Sequence, residues 1–217
     1  MSPGEPLFRL DWVLEHLDSL AQRIGEHMLV TVIAVAAGFV ISFALALAVR
    51  RYPPLYGPIL AISGVLYAIP SIALFVLFIP ITGLSLLTAE IALVSYTLVI
   101  LVRNIVTGLR GVPPEVIEAA RGMGYTDQQR LWRVEIPIAM PIIVAGLRIA
   151  TVTTIGLVTI TAIIGLGGAG QLIYQGLILN FHTPLVVGTV LSVALAFVAD
   201  GALLIAQRLT VPWSRTA

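Results

Sequence analysis

The segment Gly165-Leu-Gly167-Gly-Ala-Gly170-Gln171 carries the glycine spacing of two nucleotide-binding loops. A dinucleotide fingerprint follows a strand, opens a helix and is succeeded about twenty residues later by an acidic side chain. Here the glycines follow an apolar run of spanning length, and no acidic residue stands at that distance. A phosphate loop needs lysine after the last glycine, but Gln171 occupies that position and the chain contains no lysine at all. Both chemistries are rejected, and the stretch reads as a bend leading into a short helix from Gln171 to Leu179. Any ATP hydrolysis must therefore come from a partner, and no nucleotide, magnesium or other cofactor is expected on this chain. His16, His27 and His182 are too scattered for metal-ligand spacing, and each reads as a surface or interface residue. The absence of cysteine excludes disulfides, thiolate metal sites and thiol catalysis. No catalytic residue and no metal site is expected.

The remaining chemically suggestive residues are charges within apolar stretches. Arg148 lies seven residues, roughly 10 Å, into one stretch, and Asp200 lies at a similar depth in the next. Equal depth on adjacent antiparallel helices predicts a structural ion pair, set against a proton relay, which would need more ionisable groups in the core. Glu90 stands near the end of another stretch and reads as facing water or a partner.

These residues are positioned by a composition unlike that of a soluble domain. Hydrophobic residues make up 59% of the 217, charged residues 11%, and the net charge is +1, so no nucleic-acid partner is implied. Five stretches approach or exceed the roughly 20 residues that cross a bilayer as helix. They run from about Met28 to Val49, Ile59 to Ile81, Leu86 to Val102, Pro141 to Ile164 and Pro184 to Ala206. Pro70 should bend the second. The first is too long for the apolar part of a signal peptide and follows an acidic lead, so it reads as a true span. The fold class is all-α: one polytopic transmembrane domain over residues 1–217, with about five helices in the lipid bilayer of the cell membrane.

Arginine placement orients it. With the loop after the third span cytoplasmic, that side collects Arg50, Arg51, Arg103, Arg110, Arg121, Arg130, Arg133, Arg208 and Arg215, leaving Arg9 and Arg23 outside. The N-terminus is then external and the C-terminus cytoplasmic. Within the external lead, 1–27, Trp12, Val13, Leu17, Leu20, Ala21 and Ile24 recur at helical spacing. That lead is either an interfacial helix on the outer leaflet or a helix packed on the protein's own surface.

The longest polar segment, Arg103 to Met140, predicts a helix opening at Pro113-Pro114 and ending at Gly122 and Gly124. A second begins at Thr126, whose spacing to Gln129 makes a capping box. A helix of about ten residues is marginal alone in water, so this one must be covered by its own spans or by another protein.

Glu118-Ala119-Ala120, Gly124, and then Val134, Ile136 and Pro137 resemble the signature loop of permease subunits of ATP-binding cassette (ABC) importers. Val134 and Ile136 replace the commoner Ile and Leu. Three further stretches are similar to the osmoprotectant branch, which imports glycine betaine, choline, carnitine and related quaternary amines. They are Tyr67-Ala-Ile-Pro-Ser-Ile-Ala-Leu-Phe75, Arg103-Asn104 with Thr107-Gly108-Leu109, and Ile164-Gly-Leu-Gly-Gly-Ala-Gly-Gln171. The resemblance implies that Glu118, Ala119, Ala120, Arg121, Gly122, Met123 and Gly124 form a coupling helix docked on an ATPase. It also implies a second permease subunit, two cytoplasmic ATPase subunits carrying ATP and magnesium, and an extracytoplasmic substrate-binding protein. Tyr67, Pro70, Ser71 and Phe75 in the bent span, with Thr154, Thr159 and Thr161 in the fourth, are the pathway candidates. Their aromatic faces would suit a quaternary ammonium, and ordinary packing is the competing role for each.

Overall fold

The computed structural model describes residues 8–210, in which helices are joined by short turns and bends and no strand occurs. Arg215 and the first seven residues of the lead lie outside the described residues.

The lead divides at His16. A short helix α1 (Leu10–Glu15) precedes α2 (Leu17–Arg51), which carries the rest of the lead directly into the first span. Leu20 packs with Leu172 and Val187 while Trp12 and Val13 lie against them. The backbone N–H of Arg9 also donates to Thr183 Oγ1 at 3.0 Å. Of the two expectations for the lead, these contacts match packing on the protein's own surface.

The second stretch is broken rather than gently bent. Helix α3 (Tyr56–Ala68) and helix α4 (Ser71–Thr82) meet at 96°. Pro70 offers no N–H and disfavours helical backbone at the preceding residue. Ile69 and Pro70 accordingly both adopt extended ψ angles, 129° and 134°. The Ile69 carbonyl, released from helical bonding, accepts the Tyr96 hydroxyl from the next helix.

That next helix, α5 (Leu86–Arg110), is the centre of the bundle and packs against α2, α3, α4 and α8 (Ile136–Val158). It runs past the expected end at Val102. Ile105, Val106 and Leu109 remain buried, and their spacing continues the inward face after the charges begin. Thr97 stands where a side chain at position 38 would sit: a Cβ there would come within 1.9 Å of its Oγ1, so only glycine allows α2 this close to α5.

After α5, helix α6 (Pro114–Gly122) and helix α7 (Asp127–Arg130) form the polar loop, and the predicted Thr126–Gln129 capping box is present. A π-helical turn, Leu131–Glu135, leads straight into α8, so the fourth span starts before Pro141. The 3₁₀ turn Thr159–Ile164 ends it, and a bend with positive φ at Gly165 and Gly168 opens α9 (Ala169–Ile178). Helix α10 (His182–Thr210) returns along α8 and α9.

Among the described residues four helical stretches are long and apolar enough to cross a bilayer, Leu17–Arg51, Leu86–Arg110, Asp127–Ile164 and His182–Leu209; the bent pair makes five. Phe197, Val198 and Leu209 on α10 are largely exposed on a single chain, as expected of a surface facing lipid or another membrane subunit.

Candidate functional site

Helix α6 begins with Pro114 in its first turn and Glu115 near its positive end. It closes by hydrogen bonds from Tyr125 N–H to the Ala120 carbonyl, 3.1 Å, and from Gly124 N–H to the Arg121 carbonyl, 2.9 Å. Gly124 sits at φ +82°, the left-handed conformation that this helix stop requires. Ala120 is buried against the bundle. Glu118, Ala119, Arg121, Gly122 and Met123 are all exposed, Met123 by 68%. The loop thus turns one alanine inward and presents a charged, small-residue and methionine surface outward.

Behind α6, four charged side chains tie the loop to the first span. Arg50 Nε and Nη2 donate to Glu135 Oε2 and Oε1 at 2.7 and 2.9 Å. Its Nη1 and Nη2 donate to Asp127 at 2.9 and 3.1 Å. Arg130 donates through Nε to Glu135 Oε1 at 2.7 Å and through Nη2 to Asp127. The Glu135 side chain is only 6% exposed, so Arg50 and Arg130 compensate a nearly buried carboxylate. Sequence reasoning missed this network, having used Arg50 only to set orientation.

At the opposite end, His27 is fully buried. Its Nε2 lies 3.0 Å from the Ile155 carbonyl, which can only accept, and its Nδ1 accepts from Ala169 N–H at 3.3 Å. One neutral imidazole therefore joins α2, α8 and α9. Beside it, Glu26 accepts from Gly168 N–H at 3.1 Å. The Gly165–Gly170 segment is held as a bend against α2.

Arg148 and Asp200 meet in a two-pronged ion pair, Nε to Oδ1 at 2.8 Å and Nη2 to Oδ2 at 2.7 Å, which links α8 to α10. The pair stays partly open on the single chain, with side chains 27% and 35% exposed. Glu90 does not face water as expected. It is buried, and neither carboxylate oxygen has a hydrogen-bond partner among the described residues.

The pathway candidates separate into two groups. Tyr67, Pro70 and Ser71 gather at the α3–α4 break, with Tyr67 44% exposed and edge-on to Tyr96 at 5.7 Å. Thr159 is half-buried at the end of α8 and donates to the Gly156 carbonyl. Phe75, Thr154 and Thr161 are packed inside the chain's own core, and Thr161 donates to the Val158 carbonyl. These three face no open surface, because the inward sides of α4, α8 and the 3₁₀ turn after α8 carry Phe75, Thr154 and Thr161 in turn.

A bundle of apolar helices with one exposed amphipathic loop helix is the architecture of a multi-pass membrane protein that engages a soluble partner at one end. The family described as "binding-protein-dependent transport system inner membrane component" matches residues 27–210, and the chain belongs to it. It is similar to the glycine betaine/carnitine/choline transport system permease protein OpuCB of Bacillus subtilis, with 34% identity over 89% of each chain. The choline transport system permease protein OpuBB of the same organism is 35% identical over 89% of each. The osmoprotectant import permease protein OsmW of Salmonella typhimurium is 37% identical over 88% of this chain and 91% of its own. Among solved structures, one of the inward-facing MetNI methionine ABC transporter superposes with a TM-score of 0.80. It has 26% identity and covers 90% of this chain and 98% of that one. The family consists of membrane permease subunits whose ATPase is a separate chain.

Proposed function

We propose that this chain forms half of the translocation pathway of an ABC importer for a quaternary-ammonium solute such as glycine betaine, choline or carnitine. Its N-terminus lies outside and its C-terminus in the cytoplasm, as the arginine distribution favours. The observation that carries the reading is the outward surface of α6: Glu118, Ala119, Gly122 and Met123 stand free of the bundle beside a buried Ala120, and the exposed Arg121 borders the space behind the helix. Small side chains there let a partner backbone approach closely, and the glycine stop at Gly124 fixes the angle of approach.

Two copies of the chain, or this chain and a related permease, enclose the path. Two ATPase subunits holding ATP and magnesium receive the two α6 helices, and an external binding protein delivers the solute. Closure of the ATPases on ATP displaces α6. The Arg50–Glu135–Arg130–Asp127 network transmits that displacement to α2, because the first span cannot stay in place while its buried partner moves. Access then switches between the two sides as a population shift. Exposed Tyr67 at the α3–α4 break gives a quaternary ammonium an aromatic face along the way. The Arg148–Asp200 pair holds α10 to α8 and carries no proton.

The test is ATPase activity of the reconstituted assembly. Binding protein loaded with glycine betaine should stimulate hydrolysis, and a loop carrying Glu118→Arg and Ala119→Trp should abolish the stimulation. Stimulation by a methionine-loaded binding protein instead would move the substrate reading to amino acids. No association of an ATPase with the native chain would overturn the importer reading altogether.

A further inference from the structure

The loop end of the bundle contains a cleft of about 310 Å³ between the ends of α2 and α5 and the inner side of α6. Five guanidinium groups and two carboxylates line it. Arg50 and Arg130 are committed to Glu135 and Asp127. The other three, Arg51, Arg110 and Arg121, form no ion pair among the described residues, although Arg51 lies close enough to Asp127 to feel its charge. Two of them lie over aromatic rings: the Arg110 guanidinium is 4.4 Å from the Tyr56 ring centroid and that of Arg51 is 5.8 Å from Tyr52. The cleft therefore holds three positive charges in surplus, converging on a space large enough for a phosphodiester.

We infer that this cleft binds the headgroup phosphate of an anionic phospholipid. Three features favour a lipid over an acidic peptide. The cleft lies where the membrane-crossing helices α2 and α5 end, at Arg51 and Arg110. Two tyrosines flank it, and interfacial aromatic residues mark headgroup depth. Its wall is aliphatic, formed by Val49, Val106, Leu109 and Ile117, which suits a glycerol backbone and the first acyl carbons. Basic pockets between spans collect lipid phosphates in this way. Arg121 reaches the cleft from α6, so the bound lipid would bridge the loop helix to the ends of two spans.

The test is native mass spectrometry of the intact transporter taken from nanodiscs of phosphatidylglycerol mixed with phosphatidylcholine. The expected result is retention of phosphatidylglycerol in preference to phosphatidylcholine. Each of R51Q and R110Q should weaken retention about fivefold, and the R51Q/R110Q/R121Q chain should lose it. R103Q/R133Q removes two exposed arginines of the same end that do not line the cleft, and should retain the lipid. The single variants keep the test decisive if the triple variant does not assemble. Equal retention by R51Q, R110Q and the native chain would overturn the inference, as would equal retention of the two lipids. Displacement by inorganic phosphate would mark a site for soluble anions. Lipid retained by the permease alone but expelled once the ATPase is assembled would assign the cleft to that protein.

Discussion

The Arg50–Glu135–Arg130–Asp127 network predicts very different consequences for its two acids. Glu135 is 6% exposed and accepts three hydrogen bonds from the two guanidinium groups; Asp127 touches the same two arginines but is 67% exposed. Glu135→Gln keeps the shape of the side chain, removes the charge and turns an amide N–H₂ toward a guanidinium. Breaking a buried pair from one side costs about 3–5 kcal/mol, because it strands the partner's charge. Arg50 and Arg130, 19% and 11% exposed, can recover some hydration. The figure for Glu135→Gln therefore falls to about 2–4 kcal/mol. Asp127→Asn acts in solvent, where a pair is worth about 1 kcal/mol at most.

Thermal unfolding of the purified chain in detergent reads the difference. For a chain of this length about 2–4 °C accompanies each kcal/mol, so Glu135→Gln should lower Tm by roughly 5–15 °C and Asp127→Asn by about 4 °C at most. Removing the stranded charge as well, in Arg50→Gln with Glu135→Gln, should cost less than the sum of the two single changes. Equal shifts for the two acids, or simple additivity in the double variant, would refute the reasoning. Either result would show that burial does not set the strength of this network.

Tyr96→Phe should destabilise the chain by about 1–3 kcal/mol, since it leaves the Ile69 carbonyl at the break without its donor; unfolding in detergent measures it. Gly122 has no atom within 4 Å of where a Cβ would stand, so Gly122→Trp should leave Tm of the isolated permease unchanged. It should nonetheless lower ATPase binding in a pull-down at least tenfold if this surface docks the partner. Gly170→Ala should prevent stable folding, because its Cβ would stand 2.1 Å from the Thr159 carbonyl oxygen, a backbone atom that cannot rotate away; size-exclusion chromatography would show aggregated chain.

Most of the fold is legible in the sequence because its signals are local. The capping box at Thr126 and Gln129, the glycine stop at Gly124 and the break at Pro70 each depend on residues within a few positions of one another. Span ends were less legible. An apolar run stops at its first charge, whereas a helix stops when its inward face stops: α5 continues to Arg110 because Ile105, Val106 and Leu109 are still buried. The Arg148–Asp200 pair was accessible only because equal depth substitutes for knowledge of the third dimension.

Residues that act across long separations left no such trace. Arg50 lies 85 positions from Glu135, and His27 lies 128 from the carbonyl it binds. A lone histidine or one arginine of a pair looks the same in sequence whether it faces solvent or fixes three helices. The two sites lie far apart along α2, with His27 in its first third and Arg50 at its end. Helix α2 is therefore clamped to the Gly165–Gly170 bend at one point and to the loop at another. A continuous helix held at two points links them: any displacement of the loop that shifts α2 also loads its contacts at the bend. Neither clamp was visible in the sequence, yet together they connect the exposed surface of α6 to the far side of the bundle.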